Sequence, residues 1–136
     1  MTCVLVTGVG SLLGQGILKS IQISSLDCKV IGTDYFPSAV GLYWVDKGYI
    51  LPDILKPEIS EIQWIEAVID IINKEDIDIV LPGLDFEIPI FAKNKLKIEN
   101  QTKSIILVSP EDVVRIGNDK WETVNCLKNN GFNYPN

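Results

Sequence analysis

Apolar residues along this chain come alternately as short unbroken runs and as repeats with helical spacing, a pattern that predicts strands separated by helices. Cys3 to Thr7 is a run rich in β-branched residues that stops at Gly8-Val9-Gly10-Ser11, a sequence able to turn sharply, and it reads as a first strand. Leu13, Ile17 and Ile21 then recur every fourth residue, which predicts a helix from Ser11 to about Ser24 with one apolar stripe. Lys29 to Thr33, closed by Asp34, is a second strand, and Tyr49-Ile50-Leu51 before Pro52 a shorter third. Between them, Pro37 to Val45 reads as a loop with a helical turn. Ser60 and Gln63 have the spacing of a capping box ahead of Ile62, Ile65, Ile69 and Ile72, the stripe of a second amphipathic helix. Asp78 to Leu81 and Ser104 to Val108 supply two more strands, with a helix from about Glu87 to Lys97 between them and Pro89 in its first turn. Ser109-Pro110-Glu111-Asp112 offers a fourth helix an N-cap, a proline at N1 and early negative charge. Asp119-Lys120 opens a last helix that Gly131 closes, and Phe132-Asn133-Tyr134-Pro135 begins a further element.

Strands separated by helices imply right-handed crossovers and a parallel sheet covered on both faces, which suits runs such as Cys3-Val4-Leu5-Val6 and Ile105-Ile106-Leu107-Val108. The fold class is therefore α/β, doubly wound, with a mostly parallel sheet of about five strands. Composition agrees: 136 residues with 46% apolar content suffice for one core. Trp64 and Trp121 lie beside apolar neighbours on predicted helices and read as packing residues.

Charge and residue content narrow the chemistry. The formal net charge is -6, and the densest basic stretch, Lys93-Asn94-Lys95-Leu96-Lys97, reads as a solvated helix face, so nucleic acid is not an expected partner. No run approaches the roughly 18–20 apolar residues that span a bilayer, and the Met1-Thr2-Cys3-Val4 start lacks the basic residues of a signal peptide, so a cytoplasmic location away from membranes is expected. Cys3, Cys28 and Cys126 are odd in number and set in apolar segments, which predicts buried small hydrophobes and neither disulfides nor a metal site. Histidine is absent, which removes imidazole acid–base chemistry, Ser-His-Asp and Cys-His schemes and most zinc sites from this chain.

Three places could carry binding. Gly8, Gly10 and Gly14 with Ser11 lie between the first strand and first helix, where backbone amides and a helix N-terminus can face an anion or nucleotide. Asp34 follows Gly14 by about twenty residues, as an acidic ribose ligand does in dinucleotide sites. The third glycine comes one residue later than in G-x-G-x-x-G, and the other reading is a tight turn with close packing. Asp85 and Glu87, beyond the fourth strand, could hold a substrate ammonium or hydroxyl, or cap the next helix.

The order of these motifs resembles the amino-terminal domain of ATP-grasp ligases, particularly proteins similar to the large subunit of carbamoyl phosphate synthase. The residues that carry the likeness are the glycine loop, Asp34, Ala39, Asp46-Lys47-Gly48-Tyr49-Ile50-Leu51-Pro52, Ile77 through Glu87, and Asp119-Lys120. The resemblance implies a Rossmann-like, three-layer α/β/α pre-ATP-grasp domain over residues 1–117. Residues 118–136 would then be a linking helix and the start of an ATP-grasp domain missing from the chain. It implies that the glycine loop and the ends of strands two and four shape the acceptor-substrate side of a cleft. Lys120 would approach nucleotide phosphates, although Asp119 and Glu122 also have capping-box spacing. ATP and Mg belong to the full-length protein on this reading, and no cofactor belongs to the fragment, which would be inactive alone. Its partners would be a small-molecule substrate, the missing ATP-grasp domain and, in a homodimer, a second copy. An NAD(P)-binding oxidoreductase or dinucleotide-sensing module is the alternative, and a non-enzymatic docking module a third.

Overall fold

The computed structural model describes residues 1–135. Five strands, β1 (Thr2–Val6), β2 (Cys28–Asp34), β3 (Lys47–Ile50), β4 (Ile79–Leu81) and β5 (Ile105–Ile106), form one sheet in the order β3-β2-β1-β4-β5. All four pairings are parallel, with Val4 opposite Val30 on one side and Ile79 on the other. The α/β, doubly wound expectation holds. The helices are α1 (Leu12–Ile23), α2 (Glu61–Glu75), α3 (Ile88–Gln101), α4 (Glu111–Asn118) and α5 (Lys120–Asn129), and a short 3-10 turn spans Val40–Tyr43 inside the expected loop.

Helices α2 and α3 cover one face. Trp64, Ile65, Val68, Ile72, Phe91 and Ile98 pack there on Leu5, Ile31, Val80 and Ile106, and the Trp64 and Phe91 rings meet edge to face at 5.1 Å. The opposite face is covered by α1, which joins Leu18 to Val4, Val6 and Val9. Past α1 that face is open: Ile105 and Leu107 remain 59% and 60% exposed, because α4 packs on α3 instead of crossing to the α1 side. At the amino-terminal end of the strands, Glu75 closes α2 onto the sheet. It accepts from Lys29 (3.0 Å), Lys47 (2.6 Å) and the Tyr49 hydroxyl, contacts that hold its pKa down at about 2.

Several expectations are corrected. The buried positions of α1 are Gly14 and Leu18, with Ile17 and Ile21 half-buried beside them, while Leu13 is exposed. At Gly14 the helix meets the Gly8 turn so closely that a side chain there would strike the Gly8 carbonyl. The Ser60–Gln63 capping box forms, but Ile62 faces solvent and Trp64, Val68 and Ile71 join Ile65, Ile69 and Ile72 in the buried set. Strand β5 is shorter than expected, since the Val108 amide turns back to the Ile106 carbonyl (2.9 Å) and ends it. Pro110, extended at φ -53° and ψ 151°, is itself the N-cap of α4, so Ser109 lies outside the helix and caps nothing. Trp64 is fully buried as expected, whereas Trp121 is 72% exposed because α5 packs chiefly on α4 and buries no residue. Cys3 is buried, but Cys28 and Cys126 are only half-buried. No helix among the described residues is long and apolar enough to cross a membrane.

Candidate functional site

The loops that follow β1, β2 and β4 meet at the carboxyl edge of the sheet, where strand order reverses between β1 and β4. Glycines set how closely they meet. Gly8 has φ +57°, a conformation that costs a side-chain-bearing residue, and a Cβ on Gly14 would collide with the Gly8 carbonyl. A Cβ on Gly83 would likewise collide with the Thr7 carbonyl. The contacts are then fastened by Ser11, the N-cap of α1, whose hydroxyl accepts from the Gly14 amide and donates to the Gly83 carbonyl, both at 2.9 Å. The Gly83 amide donates to Thr7 Oγ1 at 3.0 Å. Two turns from opposite sides of the reversal point are thereby joined.

Asp34 is 6% exposed and organises the same loop. Its Oδ2 accepts from the Gly10 amide (2.7 Å), and its Oδ1 accepts from the amides of Tyr35 (2.8 Å) and Phe36 (3.0 Å). The amides of Val9, Ser11 and Gly14 are also taken, by Thr33 O, Gly8 O and Ser11 Oγ. A phosphate reaching those four amides would have to displace protein acceptors and sit beside a carboxylate, which Coulomb repulsion opposes. The close contacts a side chain would meet at Gly8, Gly10 and Gly14 give each glycine a packing role. Lys47 is committed to Glu75 at the opposite, amino-terminal end of the strands. The NAD(P) reading is not favoured.

The acidic pair beyond β4 separates. Glu87 occupies the N-cap position of α3 but makes no capping bond, and its carboxylate is fully buried beneath the loops. It accepts from Thr7 Oγ1 and from the Tyr35 hydroxyl (2.7 Å), while that hydroxyl accepts from Trp64 Nε1 (3.1 Å). Burial foremost, and then the charge of Asp34, push the Glu87 pKa up to about 7 against the pull of the two hydroxyl bonds. Burial, seconded by Glu87, raises the Tyr35 phenol as well. Asp85 is exposed and shares a shallow depression of about 510 Å³ with Ile88, Ser109, Val113 and Lys120. Lys120 begins α5, which Asp119 caps by accepting from the amides of Trp121 (2.8 Å) and Glu122 (3.1 Å). The other half of that capping box is not made, because Glu122 pairs with Arg115 at 2.8 Å.

The concave part of the edge is a cleft of about 410 Å³ between the glycine turn, the loop after β2 and the loop after β4. Gly10, Ser11 and Asp34 line it. Its walls are Tyr35, Phe36, Leu55, Leu84 and Phe86, with Asp53 and Ser38 at its polar side and no basic residue in the lining. The wall residues were not candidates in the sequence. Their signal was apolar and aromatic residues placed in loops, with prolines nearby at Pro37 and Pro52. Among the described residues no three acidic, cysteine or histidine side chains gather closely enough to hold a metal ion.

The model of one protein family, the PylC-like N-terminal domain, matches residues 4–106. No curated protein matches the sequence. Among solved structures, an L-amino acid ligase from Bacillus licheniformis is similar at 16% identity and a TM-score of 0.69, over 99% of this chain and 32% of the other. The biotin carboxylase subunit of a pyruvate carboxylase is similar at 13% identity and a TM-score of 0.67, over 96% of this chain and 28% of the other. The biotin carboxylase domain of 2-oxoglutarate carboxylase from Hydrogenobacter thermophilus, solved with MgADP and bicarbonate, gives 14% identity and a TM-score of 0.64, over 96% and 27%. The chain thus spans less than a third of the length of these solved chains.

Proposed function

Because the chain belongs to the family of PylC-like N-terminal domains, we propose that it is the substrate-side domain of an ATP-dependent carboxylate–amine ligase of the ATP-grasp type. The family match carries this reading. The solved structures support it as shared fold, and the L-amino acid ligase among them is consistent in chemistry. On this reading residues 1–117 form the binding domain, and residues 118–136 link it to an ATP-grasp domain in a cytoplasmic protein, either alone or as a homodimer.

The cleft would take part of the acceptor substrate. Phe36, Leu55, Leu84 and Phe86 offer an apolar wall, and Asp34 and Asp53, with no basic residue opposite, favour a ligand carrying an apolar body and a positive charge. Asp85 and Lys120 lie on the separate depression, where Lys120 could meet nucleotide phosphates as a point charge. One lysine and no carboxylate cluster do not fit Mg-ATP as a complete site, so the nucleotide and metal would be held by the ATP-grasp domain.

Isothermal titration tests this directly. Residues 1–136 should show no tight Mg-ATP site and no turnover, and strong binding with turnover would overturn the reading. Fluorescence titration with NADH should likewise find no tight site; tight binding lost in Asp34→Ala would instead support a dinucleotide module.

A further inference from the structure

Glu87 is a fully buried carboxylate beneath the cleft loops, and its bonding partners are fixed from behind. Thr7 Oγ1 already accepts from the Gly83 amide and the Tyr35 hydroxyl already accepts from the Trp64 indole, so each hydroxyl directs its own proton at Glu87. An ionised carboxylate only accepts, and it matches this pair. A protonated Glu87 would bring a third proton into this buried site, and that proton lacks an acceptor unless one of the hydroxyl bonds reverses or opens. Thr7 lies at the glycine turn and Tyr35 in the cleft wall, so this carboxyl joins both sides of the cleft.

We propose that Glu87 is a positioning residue whose carboxylate locks the glycine turn and the Tyr35 wall together, and whose protonation loosens that lock and reshapes the cleft. The groups facing it set the balance. From the turn after β1 comes Thr7, which does not titrate; from the end of β2 comes Asp34, whose charge opposes ionisation of Glu87, and from the loop beyond it Tyr35, which donates to Glu87; from α2 comes Trp64, acting through Tyr35. Asp53 acts on Tyr35 across the cleft. No Lys or Arg among the described residues pairs with Glu87. Desolvation and hydrogen bonding oppose each other closely enough to leave the pKa at about 7, where small pH changes alter the charge. This inference stands whether or not the chain serves a ligase.

Carbon-detected NMR of the Glu87 carboxyl, followed together with the Trp64 indole N–H between about pH 5 and 9, tests the lock. Both signals should titrate with one midpoint near neutrality. In Glu87→Gln the indole signal should stop responding to pH. In Tyr35→Phe the carboxyl midpoint should rise by up to about one unit, because the ionised form loses a hydrogen bond, and the indole should no longer follow it. A carboxyl that keeps one protonation state across the range, or an indole response unchanged in Glu87→Gln, would overturn the proposal. Should Glu87→Gln fail to fold, the wild-type and Tyr35→Phe titrations decide the question by themselves.

Discussion

Glu87 makes stability depend on pH with a sign opposite to that of most carboxylates. Its folded pKa of about 7 lies above the ordinary 4.5, so the unfolded chain ionises first as pH rises. The stability it contributes is complete below the ordinary value and falls as pH climbs through neutrality, by about 3 kcal/mol if the whole shift is realised. Glu87→Gln, uncharged and nearly isosteric, should therefore gain on the wild type between pH 5 and 8 in urea denaturation. A stability difference between the two that does not change with pH would contradict this. At this scale the sequence located the acidic residues at the strand ends but did not disclose what each does. Asp34 and Glu87 both stand where ligand-binding carboxylates stand, yet Asp34 is held by the amides of Gly10, Tyr35 and Phe36 and Glu87 by the hydroxyls of Thr7 and Tyr35, and Gly10 and both hydroxyls lie far in sequence from the carboxylates they bind.

At the scale of elements, glycines two positions apart in α1 should respond in opposite directions to the same change. A methyl on Gly14 meets the Gly8 backbone, whereas one on Gly16 meets nothing within 4 Å. Gly14→Ala should destabilise by about 1–3 kcal/mol, since backbone must move to admit the methyl. Gly16→Ala should stabilise by about 0.5–1 kcal/mol, since alanine gives up less conformational entropy in a helix. Thermal unfolding of the pair checks both signs, and equal effects would refute the close approach. Helix α2 and the first four strands were legible from period and caps, because those signals are local. The true face of α1 and the end of β5 were not, because contact with Gly8 and the Val108 turn decided them.

At the scale of the molecule, burial is uneven. The strands β1, β2 and β4 and helix α2 hold much of the core, while α4 and α5 bury no residue and rest on α3 and on each other. Native-state hydrogen exchange should find the slowest amides in β1 and α2 and the fastest helical amides in α5, because its opening exposes little apolar surface. Protection of α5 equal to that of α2 would show that the tail is fixed by more than α4. The sequence by itself determined the element order, the parallel α/β class and the family likeness, since these rest on periodicity, capping residues and motif order along the chain. Only the tertiary structure decided that Asp34 accepts from the Gly10 amide of the glycine loop, that Glu87 is buried and Asp85 is not, and that Tyr35, Phe36, Leu55, Leu84 and Phe86 line one cleft. Those outcomes depend on which groups from separate segments compete for the same donors and the same space, and that competition exists only once the chain has folded.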